Sequence, residues 1–373
     1  MDALMLPLNW QRVRLGDIGK PCMCKRVMKH QTTRYGEIPF YKIGTFGNTA
    51  DAFISKKLFL EYQTKYSFPK KGDILISASG TIGRAVIYDG KPAYFQDSNI
   101  VWIDNDETLV KNDFLFYAYS NVKWNTEHTT ILRLYNDNFR NTLIPLPPLN
   151  EQSAIANILS DLDRYLYALR ALILKKEGVK KALSFELLSQ RKRLRGFNQA
   201  WQKVRLGDIA NYLTSNLSVE QITQQGKIKV YDVNNFIGYT DTTFISDKPY
   251  ISIVKDGSVG RVRILPPKTN ILSTMGALIA NHRTTTEFLF YLLSNFDFKN
   301  FTSGSIIPHI YFKDYKEKTI FLPPLNEQIA IANILSALDN EIISLKNKKR
   351  QFENIKKALN HDLMSAKIRV LKK

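Results

Sequence analysis

The chain has 373 residues, of which 53 are Lys or Arg and 34 are Asp or Glu, so its formal net charge at pH 7 is +19. A hydrophobic content of 44% excludes a disordered chain, and the positive excess favours a polyanionic partner, with nucleic acid first and an anionic membrane surface second. The two cysteines cannot form a disulfide framework or a zinc site alone, and no apolar run reaches the roughly 18 residues of a membrane span. These features predict a cytoplasmic protein of two or three domains that holds no metal or cofactor.

The chain is an internal duplication. Trp10–Ile18 recurs at Trp201–Ile209 with eight of nine positions identical, at an offset of 191. Leu146–Ser160 recurs at Leu322–Ser336 with one difference, at an offset of 176. Chance does not produce such identity, so each copy is one structural unit in which two kept motifs enclose a diverged sequence. We expect one scaffold that presents two different surfaces.

The first copy is longer than the second. Between Ser55 and Gly80 the offset falls from 191 to 177, which places nearly all of the additional residues there. The segment Lys70–Ser77 has the pattern of a turn followed by a strand and has no clear match in the second copy. It is therefore predicted to be part of the insertion.

The diverged part of each copy is predicted to combine strands and helices, which gives an α+β protein. Runs of β-branched and aromatic residues, broken by Gly, Asp and Pro, indicate strands, and aromatic-rich segments with helical spacing indicate one helix in each copy. The strands are expected at residues 40–43, 73–77, 84–88, 99–103, 228–233, 250–254 and 261–265, and the helices at 114–120 and 287–294.

A basic cluster follows the first motif, and its members are Lys25, Arg26, Lys29, His30 and Arg34. Such a loop suits a DNA groove, and it equally suits a solvated surface. The corresponding residues 211–225 of the second copy are rich in Asn, Gln, Ser and Thr instead. If both stretches contact bases they should prefer different ones, because Asn and Gln suit adenine and Arg suits guanine.

Each copy then carries a loop with the pattern Gly-[Thr/Ser]-[Ile/Val]-Gly-Arg. The candidate DNA-binding residues in these loops are Gly80, Thr81, Arg84, Gly257, Ser258 and Arg261. Glycine allows backbone to approach a phosphate or a base edge, and arginine offers paired donors. The alternative is a tight turn between strands with a solvated arginine. A P-loop is excluded, because no Gly-Lys-[Ser/Thr] follows.

Late in each copy, residues 131–135 align with the end of the stretch 303–311. Arg133 and His309 fall at the same position, and further candidates for DNA contact in the second copy are Ser303 and Ser305. A single His is more often structural than a ligand, and no His cluster exists for a metal. The Gly-Ser-x-x-Pro pattern of the second copy has no full match near Thr130. Tyr135 and Tyr311, which both copies share, are expected in the core.

Each copy ends in a predicted long helix. Asn150 and Asn326 can act as N-caps, and the glutamate that follows each of them suits the positive end of the helix dipole. Apolar residues at heptad-like spacing then indicate a coiled coil, and about 40 residues would span roughly 60 Å. The predicted apolar stripes are Ile155, Leu159, Leu162, Leu166, Leu169, Ile173, Leu183 and Leu187, and Ile331, Leu335, Leu338, Ile342, Leu345, Phe352, Ile355, Leu359 and Leu363.

The connectivity of the two copies favours antiparallel helices. Each helix starts at its own globular part, so antiparallel pairing gives a dumbbell with internal pseudo-twofold symmetry. In it the helices act as a ruler between the two globular parts. A surface with this symmetry suits two copies of the same partner.

In combination these motifs resemble the specificity subunits of Type I restriction–modification systems, over essentially the whole chain. The resemblance rests on the Trp-x-x-Val-x-Leu-Gly-Asp-Ile openings, the Lys-Gly-Asp-Ile-Leu-Ile-Ser and Gly-Thr-Ile-Gly segments, the Leu-Pro-Pro-Leu-x-Glu-Gln helix entries and the duplicated layout. It implies target-recognition domains at residues 1–149 and 196–325, each specific for half of a bipartite, asymmetric site in double-stranded DNA. It also implies that the helices at 150–195 and 326–373 set the spacer and bind two methyltransferase subunits. Restriction subunits would join through that complex, and the chain itself would have no catalytic activity.

Two other functions remain open at this point. An enzyme that methylates DNA alone needs an [Asn/Asp]-Pro-Pro-[Tyr/Phe] loop, whereas the Pro-Pro pairs here are Leu-Pro-Pro-Leu and Leu-Pro-Pro-Lys. The second alternative is a coiled-coil scaffold with a generic basic surface for RNA, which would show no sequence preference at raised salt.

Overall fold

The computed structural model of the chain describes residue 7, residues 9–128 and residues 132–370. The chain divides into two compact units: unit 1 contains the described residues of 1–169 and 348–373, and unit 2 contains residues 170–347. Each unit holds one globular part, the first part of one long helix and the last part of the other. Among the described residues, no helix combines the length and the apolar character that crossing a membrane requires.

The elements of unit 1 follow in chain order. Its strands are β1 (Gln11–Arg14), β2 (Gly19–Cys22), β3 (Ile38–Tyr41), β4 (Phe53–Ile54), β5 (Ile74–Ser77), β6 (Ala85–Ile87), β7 (Tyr94–Phe95), β8 (Ile100–Asn105), β9 (Glu127–His128), β10 (Leu132–Arg133) and β11 (Leu143–Leu146). Its helices are α1 (Leu15–Ile18), α2 (Lys56–Lys65), α3 (Asn112–Tyr119), α4 (Asn136–Arg140) and the start of α5 (Leu149–Leu188).

The strands of unit 2 follow the same order as those of unit 1, but unit 2 has no counterpart of α2, a 3₁₀ helix at Leu206–Asp208 replaces α1, and a further 3₁₀ helix lies at Lys299–Phe301. Its strands are β12 (Gln202–Arg205), β13 (Ala210–Thr214), β14 (Ile228–Tyr231), β15 (Phe236–Thr240), β16 (Tyr250–Val254), β17 (Val262–Leu265), β18 (Thr269–Ile271), β19 (Met275–Ala280), β20 (Thr302–Ser303), β21 (His309–Ile310) and β22 (Thr319–Leu322). Its helices are α6 (Thr286–Ser294), α7 (Phe312–Tyr315) and the start of α8 (Leu325–Met364).

The sheets of the two units have the same topology. A four-stranded antiparallel sheet has the order β2-β8-β5-β6 in unit 1 and β13-β19-β16-β17 in unit 2. A three-stranded sheet has the order β4-β3-β7 or β15-β14-β18, with one antiparallel and one parallel pair in each. The strand inside the motif that opens each copy pairs with the strand that leads into the Leu-Pro-Pro motif at its other end, as β1 with β11 and β12 with β22. This confirms the α+β class and the duplication.

The insertion in the first copy is a helix and not a strand. The prediction that Lys70–Ser77 belongs to the insertion is wrong, because its strand β5 lies inside the four-stranded sheet and β16 takes the equivalent place in unit 2. The sheet needs this strand in both units, since both its neighbours pair with it. The element without a counterpart is α2, whose Phe59 is buried in the core of unit 1.

Each globular part packs on the long helices through one apolar core. In unit 1 the core joins Phe114 of α3 to Leu159 of α5 and Leu363 of α8. In unit 2 it joins Phe288 of α6 to Leu335 of α8, together with Leu187 near the end of α5. Each side chain of this size contributes roughly 1.5–3 kcal/mol when fully buried. The core thus fixes one helix start and the other helix's end on each globular part.

The two long helices run antiparallel within each unit. In unit 1 Tyr165 of α5 packs against Phe352 of α8 with ring centroids 4.7 Å apart, and Asp163 pairs with Lys356. In unit 2 Lys176 and Lys180 of α5 pair with Glu341 and Asp339 of α8. In both units the partner number falls as the α5 number rises. The residues of the predicted apolar stripes are buried or half-buried, except Ile355, which is 42% exposed.

A repeated triad explains the first lysine of the duplicated Lys-Lys-Ala-Leu motif at residues 180–183 and 356–359. Tyr117 Oη donates to Asp163 at 2.9 Å in unit 1, and Tyr291 Oη donates to Asp339 at 2.9 Å in unit 2. The lysine of the opposite helix pairs with the same carboxylate and lies over the tyrosine ring, at 5.4 Å for Lys356 and 5.7 Å for Lys180. Burial, followed by the hydrogen bond to the carboxylate, raises the pKa of both tyrosines.

The glutamate of each Pro-Pro-Leu-Asn-Glu-Gln motif holds three segments together. In unit 2 Glu327 is fully buried, accepts the indole N–H of Trp201 at 3.0 Å and pairs with Arg193. In unit 1 Glu151, which is 2% exposed, accepts from Trp10 at 3.0 Å and pairs with Arg369. The helices begin one residue before Asn150 and Asn326, so the predicted N-cap assignment is wrong, and each Asn accepts the N–H of the next residue.

Candidate nucleic-acid interface

Four segments of each unit form a connected surface that contains most of the candidate DNA-binding residues. We name them the reader loop (25–37 and 215–227), the bridging segment (96–99 and 272–274), the glycine turn (79–84 and 256–261) and the hairpin (β9–β10 and β20–β21). The glycine turn lies between two antiparallel strands, β5 and β6 or β16 and β17. This agrees with the alternative interpretation of the loop as a tight turn between strands.

In unit 1 the bridging segment joins the reader loop to the glycine turn. Arg26 Nε donates to Asp97 at 2.8 Å, and Ser79 Oγ donates to Asn99 at 2.7 Å. The glycine turn then contacts the hairpin, since the N–H of Gly80 donates to the carbonyl of Leu132 at 3.3 Å. The structure therefore brings Arg26, Gly80 and Arg133 onto one connected surface, although they are far apart in the sequence.

In unit 2, backbone hydrogen bonds make the links that side chains make in unit 1. The N–H of Ser273 donates to the carbonyl of Leu217 at 2.8 Å, and the N–H of Asp256 donates to the carbonyl of Thr274 at 3.3 Å. The N–H of Gly257 donates to the carbonyl of Pro308 at 2.9 Å, which joins the glycine turn to the hairpin. The connectivity is kept while the side chains it carries are different.

The two glycines of each turn have different roles. Gly80 and Gly257 have φ values of +67° and +84°, and a Cβ atom there would meet open space. Gly83 and Gly260 also have positive φ, but a Cβ there would collide with the indole of Trp124 or lie 2.6 Å from an atom of Phe298. The second glycine is therefore required by packing, and only the first leaves room for another molecule to approach the backbone.

The candidate arginines of the glycine turns are not equivalent. Arg84 Nη1 donates to the carbonyl of Phe46 at 2.9 Å, so part of its guanidinium is engaged within unit 1. In unit 2 the corresponding Arg261 is exposed, and Arg263 makes the comparable contact, donating to Asn234 at 2.6 Å. Thr81 and Ser258 are exposed at the turn tips, and the carbonyl of Thr81 accepts from Ser77.

The hairpin places Arg133 and His309 at equivalent positions, as the alignment predicted. Arg133 is exposed and forms an antiparallel bridge with Ser79 of the glycine turn. His309 bridges Asp256 in the same way, and its Nδ1 lies 2.7 Å from Oδ1 of Asp256. Burial alone would raise the pKa of Asp256, but hydrogen bonds from Lys255 and His309 lower it overall.

The hairpin tip of unit 2 exposes both candidate serines and an apolar side chain. Ser303 Oγ lies 3.5 Å from the carbonyl of His309, and Ser305 is exposed. Ile306 beside it is 92% exposed, a feature that sequence patterns did not single out. Thr130 and Ile131, which align with the tip in the first copy, lie outside the described residues.

The reader loop exposes the basic cluster in unit 1. Lys25 Nζ lies 5.0 Å from the centre of the Tyr66 ring, Lys29 is exposed in a short 3₁₀ helix, and Arg34 is exposed in the following turn. In unit 2 the prediction of a loop over residues 211–225 is wrong at its start. Residues 211–214 belong to β13, which pairs with β19.

Tyr135 and Tyr311 are not core residues, so that prediction is wrong. They are 42% and 48% exposed, and each precedes a short helix, α4 or α7, that buries a single side chain, Phe139 or Tyr315. The ring of Tyr311 stacks near His309 with centroids 6.4 Å apart, and Lys313 lies 5.4 Å from its centre. The shared tyrosine thus belongs to the surface beside the hairpin.

Among the described residues, no three His, Cys, Asp or Glu side chains lie close enough together to bind a metal ion. Cys24 is buried, and burial, followed by the nearby Asp97 carboxylate, raises the pKa of its thiol to about 12. A thiol in this state is a core side chain and a poor ligand or nucleophile.

The chain belongs to the family of the Type I restriction modification DNA specificity domain, whose model matches residues 7–176 and 198–354. The two matched ranges correspond to the two copies of the duplication. The family assignment gives the protein a role in DNA-sequence specificity, and it does not favour the RNA scaffold.

Similar proteins carry the same description. A putative Type I restriction enzyme specificity subunit of Haemophilus influenzae is 63% identical over 148 residues, which are 39% of this chain and 38% of that protein. The MjaVIII specificity subunit of Methanocaldococcus jannaschii is 26% identical over an alignment covering 99% of this chain and 95% of that one. The crystal structure of the S subunit from M. genitalium has the same fold, with a TM-score of 0.64, 21% identity, and coverage of 96% of this chain and 98% of that chain.

Proposed function

We propose that the chain is the specificity subunit of a Type I restriction–modification complex, in which each unit recognises one half of a bipartite DNA site. The observation that carries this is the repeated four-segment surface, whose segments are linked in the same order in both units while its exposed side chains differ. Two copies of one side-chain set would recognise a symmetric site. Different side chains on one framework recognise an asymmetric site.

The proposed DNA contacts divide into two kinds. Lys and Arg side chains near phosphates supply affinity without sequence information, and side chains that reach base edges supply specificity. The contacts assigned to unit 1 are Lys25, Arg26, Lys29, Arg34, Gly80, Thr81, Arg84 and Arg133, and those assigned to unit 2 are Gly257, Ser258, Arg261, Ser303, Ser305 and His309. Arg84 already donates to the backbone carbonyl of Phe46, so fewer of its N–H groups are available to DNA.

The experiment that tests this proposal exchanges one recognition domain. Residues 1–149 are replaced by the corresponding domain of another specificity subunit, and the chimera is expressed with its methyltransferase partner in cells whose methylated sequences are then determined. We expect one half of the methylated site to change while the other half stays the same. A change of both halves together would refute independent recognition by the two units.

Changes in helix length test the proposed spacer role of α5 and α8. Because the two helices pair in each unit, residues must be added to both helices at matched places. Adding one matched turn to each should change the number of base pairs between the half-sites and leave the half-sites themselves unchanged. A change in the bases of either half-site would contradict the proposal that the helices set the spacer and that the globular parts recognise the bases.

The proposed partners on the helices are two copies of a methyltransferase subunit, with restriction subunits joining through them. Exposed apolar residues recur at equivalent helix positions, Tyr167 with Ile343 and Val179 with Ile355, and Tyr167 is 77% exposed. Such residues on a helix face suit a protein partner better than water. Native mass spectrometry of the complex should give two methyltransferase subunits per chain, and Tyr167→Ser should remove one of them. Loss of both, or of neither, would contradict docking at two equivalent places.

Catalysis is assigned to the methyltransferase partner and not to this chain. The complex would act on DNA in the cytoplasm. Purified chain incubated with DNA and labelled S-adenosylmethionine should transfer no methyl group until the methyltransferase subunit is added. Transfer by the chain alone would reverse this assignment.

A further inference from the structure

We infer that base discrimination in the two units depends on one equivalent pair of side chains, Arg34–Tyr35 in unit 1 and Gln224–Gln225 in unit 2. Arg34 would select guanine in one half-site, and the glutamine pair would select adenine in the other. The inference rests on the proposed function, since it names the residues through which each unit would distinguish bases.

The two pairs lie on the same turn, built by the same hydrogen bonds. In unit 1 Thr33 Oγ1 donates to the carbonyl of Tyr35 at 2.7 Å, and the backbone of Thr33 forms both bonds of a bridge with Phe53. In unit 2 Thr223 Oγ1 donates to the carbonyl of Gln225 at 2.6 Å, and the backbone of Thr223 forms both bonds of a bridge with Tyr239.

The residues on either side of the pair match as well. Upstream, the side chain of Gln31 accepts the N–H of Met28 at 2.8 Å, and that of Gln221 accepts the N–H of Ser218 at 2.9 Å. Downstream, a Cβ atom on Gly36 would lie 2.8 Å from Phe53, and one on Gly226 would lie 2.8 Å from Tyr239. The framework residues Gln, Thr and Gly are therefore identical in type at three equivalent places.

The exposed tips of the turn are where the two units differ. Arg34, Gln224 and Gln225 are exposed, and Tyr35 is 87% exposed, so none of the four is needed to pack the turn. A framework that is kept around side chains that are exposed and different is the arrangement expected when the side chains set the specificity.

The chemistry of the pairs assigns the bases. The arginine fork donates two hydrogen bonds to O6 and N7 of guanine, and a glutamine amide donates to N7 and accepts from N6 of adenine. Tyr35 beside Arg34 supplies a flat ring that can pack on a neighbouring thymine methyl or base edge. Losing one such two-bond contact typically lowers discrimination at that base pair by roughly 5- to 150-fold.

The test exchanges the tips and leaves the framework intact, in the full complex with the methyltransferase subunit. The variant Arg34→Gln/Tyr35→Gln gives unit 1 the tip of unit 2, and Gln224→Arg/Gln225→Tyr is the matched reciprocal. Each is assayed by competition binding against DNA libraries that randomise one half-site at a time. We expect the first variant to lose a guanine preference at one position of one half-site by roughly 5- to 150-fold, and the second to lose an adenine preference only in the other half-site.

Lys29→Ala serves as the control for a contact to phosphate alone, because it should weaken binding to all sequences alike. If the tip variants behave like Lys29→Ala, with both half-sites unchanged, the inference is overturned. The proposed function survives that result, since the wild-type complex would still prefer a bipartite site. If the wild-type complex itself shows no sequence preference, the proposed function fails instead. Unchanged unfolding midpoints of the variants would exclude misfolding as the cause of either result.

Discussion

The framework of the recognition surface and the side chains it exposes behave as two different parts of the molecule. Thr33 and Thr223 close equivalent turns, Glu151 and Glu327 each accept the indole N–H of the Trp in their own unit, and Gly83 and Gly260 each lie against an aromatic ring. Between these fixed points the exposed positions carry Arg and Tyr in one unit and Gln in the other. Buried and turn-closing residues thus maintain the shape, and under the proposed function the exposed positions are the ones at which specificity would change.

This comparison predicts that a framework substitution has the same effect in either unit. The largest effect is expected for Gly83→Ala and Gly260→Ala, because positive φ and the ring against the new Cβ act together. We expect a loss of roughly 3 kcal/mol in the free energy of unfolding of the affected unit. Urea unfolding measures it, and Gly80→Ala and Gly257→Ala, which meet open space, serve as controls with a loss of about 1 kcal/mol. Equal losses for both kinds of glycine would contradict the packing role of the second one.

A somewhat smaller effect is expected for Trp10→Phe and Trp201→Phe. Each removes the indole donor of a buried carboxylate while keeping most of the ring, and a hydrogen bond to a charged group contributes roughly 1.5–3 kcal/mol. We expect the two variants to lose about 2 kcal/mol each. If one lost stability and the other did not, the Trp–Glu–Arg contact would not be equivalent in the two units.

The Tyr–Asp–Lys triads at the long helices allow a third comparison of stability between the two units. Tyr117→Phe and Tyr291→Phe each remove a hydrogen bond to a partly exposed aspartate and keep the aromatic packing. The expected loss is about 1 kcal/mol in either variant, measured by thermal unfolding. Lys181→Ala, at an exposed helix position next to Lys180, is the control and should leave stability unchanged.

The smallest effect on stability, and a different effect on binding, is expected at the reader loop. Arg26 is 67% exposed in its pair with Asp97, so Arg26→Ala should cost well under about 1 kcal/mol of stability. If Arg26 contacts a phosphate, the same variant should reduce the slope of log K against log salt by about 1. Asn216→Ala, at the equivalent position of unit 2, should leave the slope unchanged. A slope that does not change in Arg26→Ala would remove this residue from the interface.

The sequence predicted the duplication, the α+β class and the long helices well, because repeated motifs and apolar spacing are local signals. It placed β5 in the insertion because the sequence of β16, Tyr-Ile-Ser-Ile-Val, keeps the strand pattern without the preceding Lys-Gly-Asp. It missed the contacts of Glu151 and Glu327, since their partners Trp10, Trp201, Arg193 and Arg369 lie 126 to 218 residues away. The spacing of 176 between Arg193 and Arg369 was the signal that could have identified that contact.

The connected recognition surface could be predicted only in part. The alignment of Arg133 with His309 and the glycine turns indicated several segments that the structure connects, but the bridging segments carry no motif of their own. The exposure of Tyr135 and Tyr311 depends on how short helices leave the hairpin, which residue type alone does not determine.

Two unlike recognition surfaces on one duplicated framework are the basis of the proposed function. The most direct test replaces residues 202–322, from the start of β12 to the end of β22, by residues 11–146, from the start of β1 to the end of β11. The methylated sequences of cells that contain this chimera and the methyltransferase are then determined. We expect a site made of two copies of the half that unit 1 recognises in the wild type. A chimera that folds and still directs methylation to the original asymmetric site would contradict recognition by two unlike surfaces.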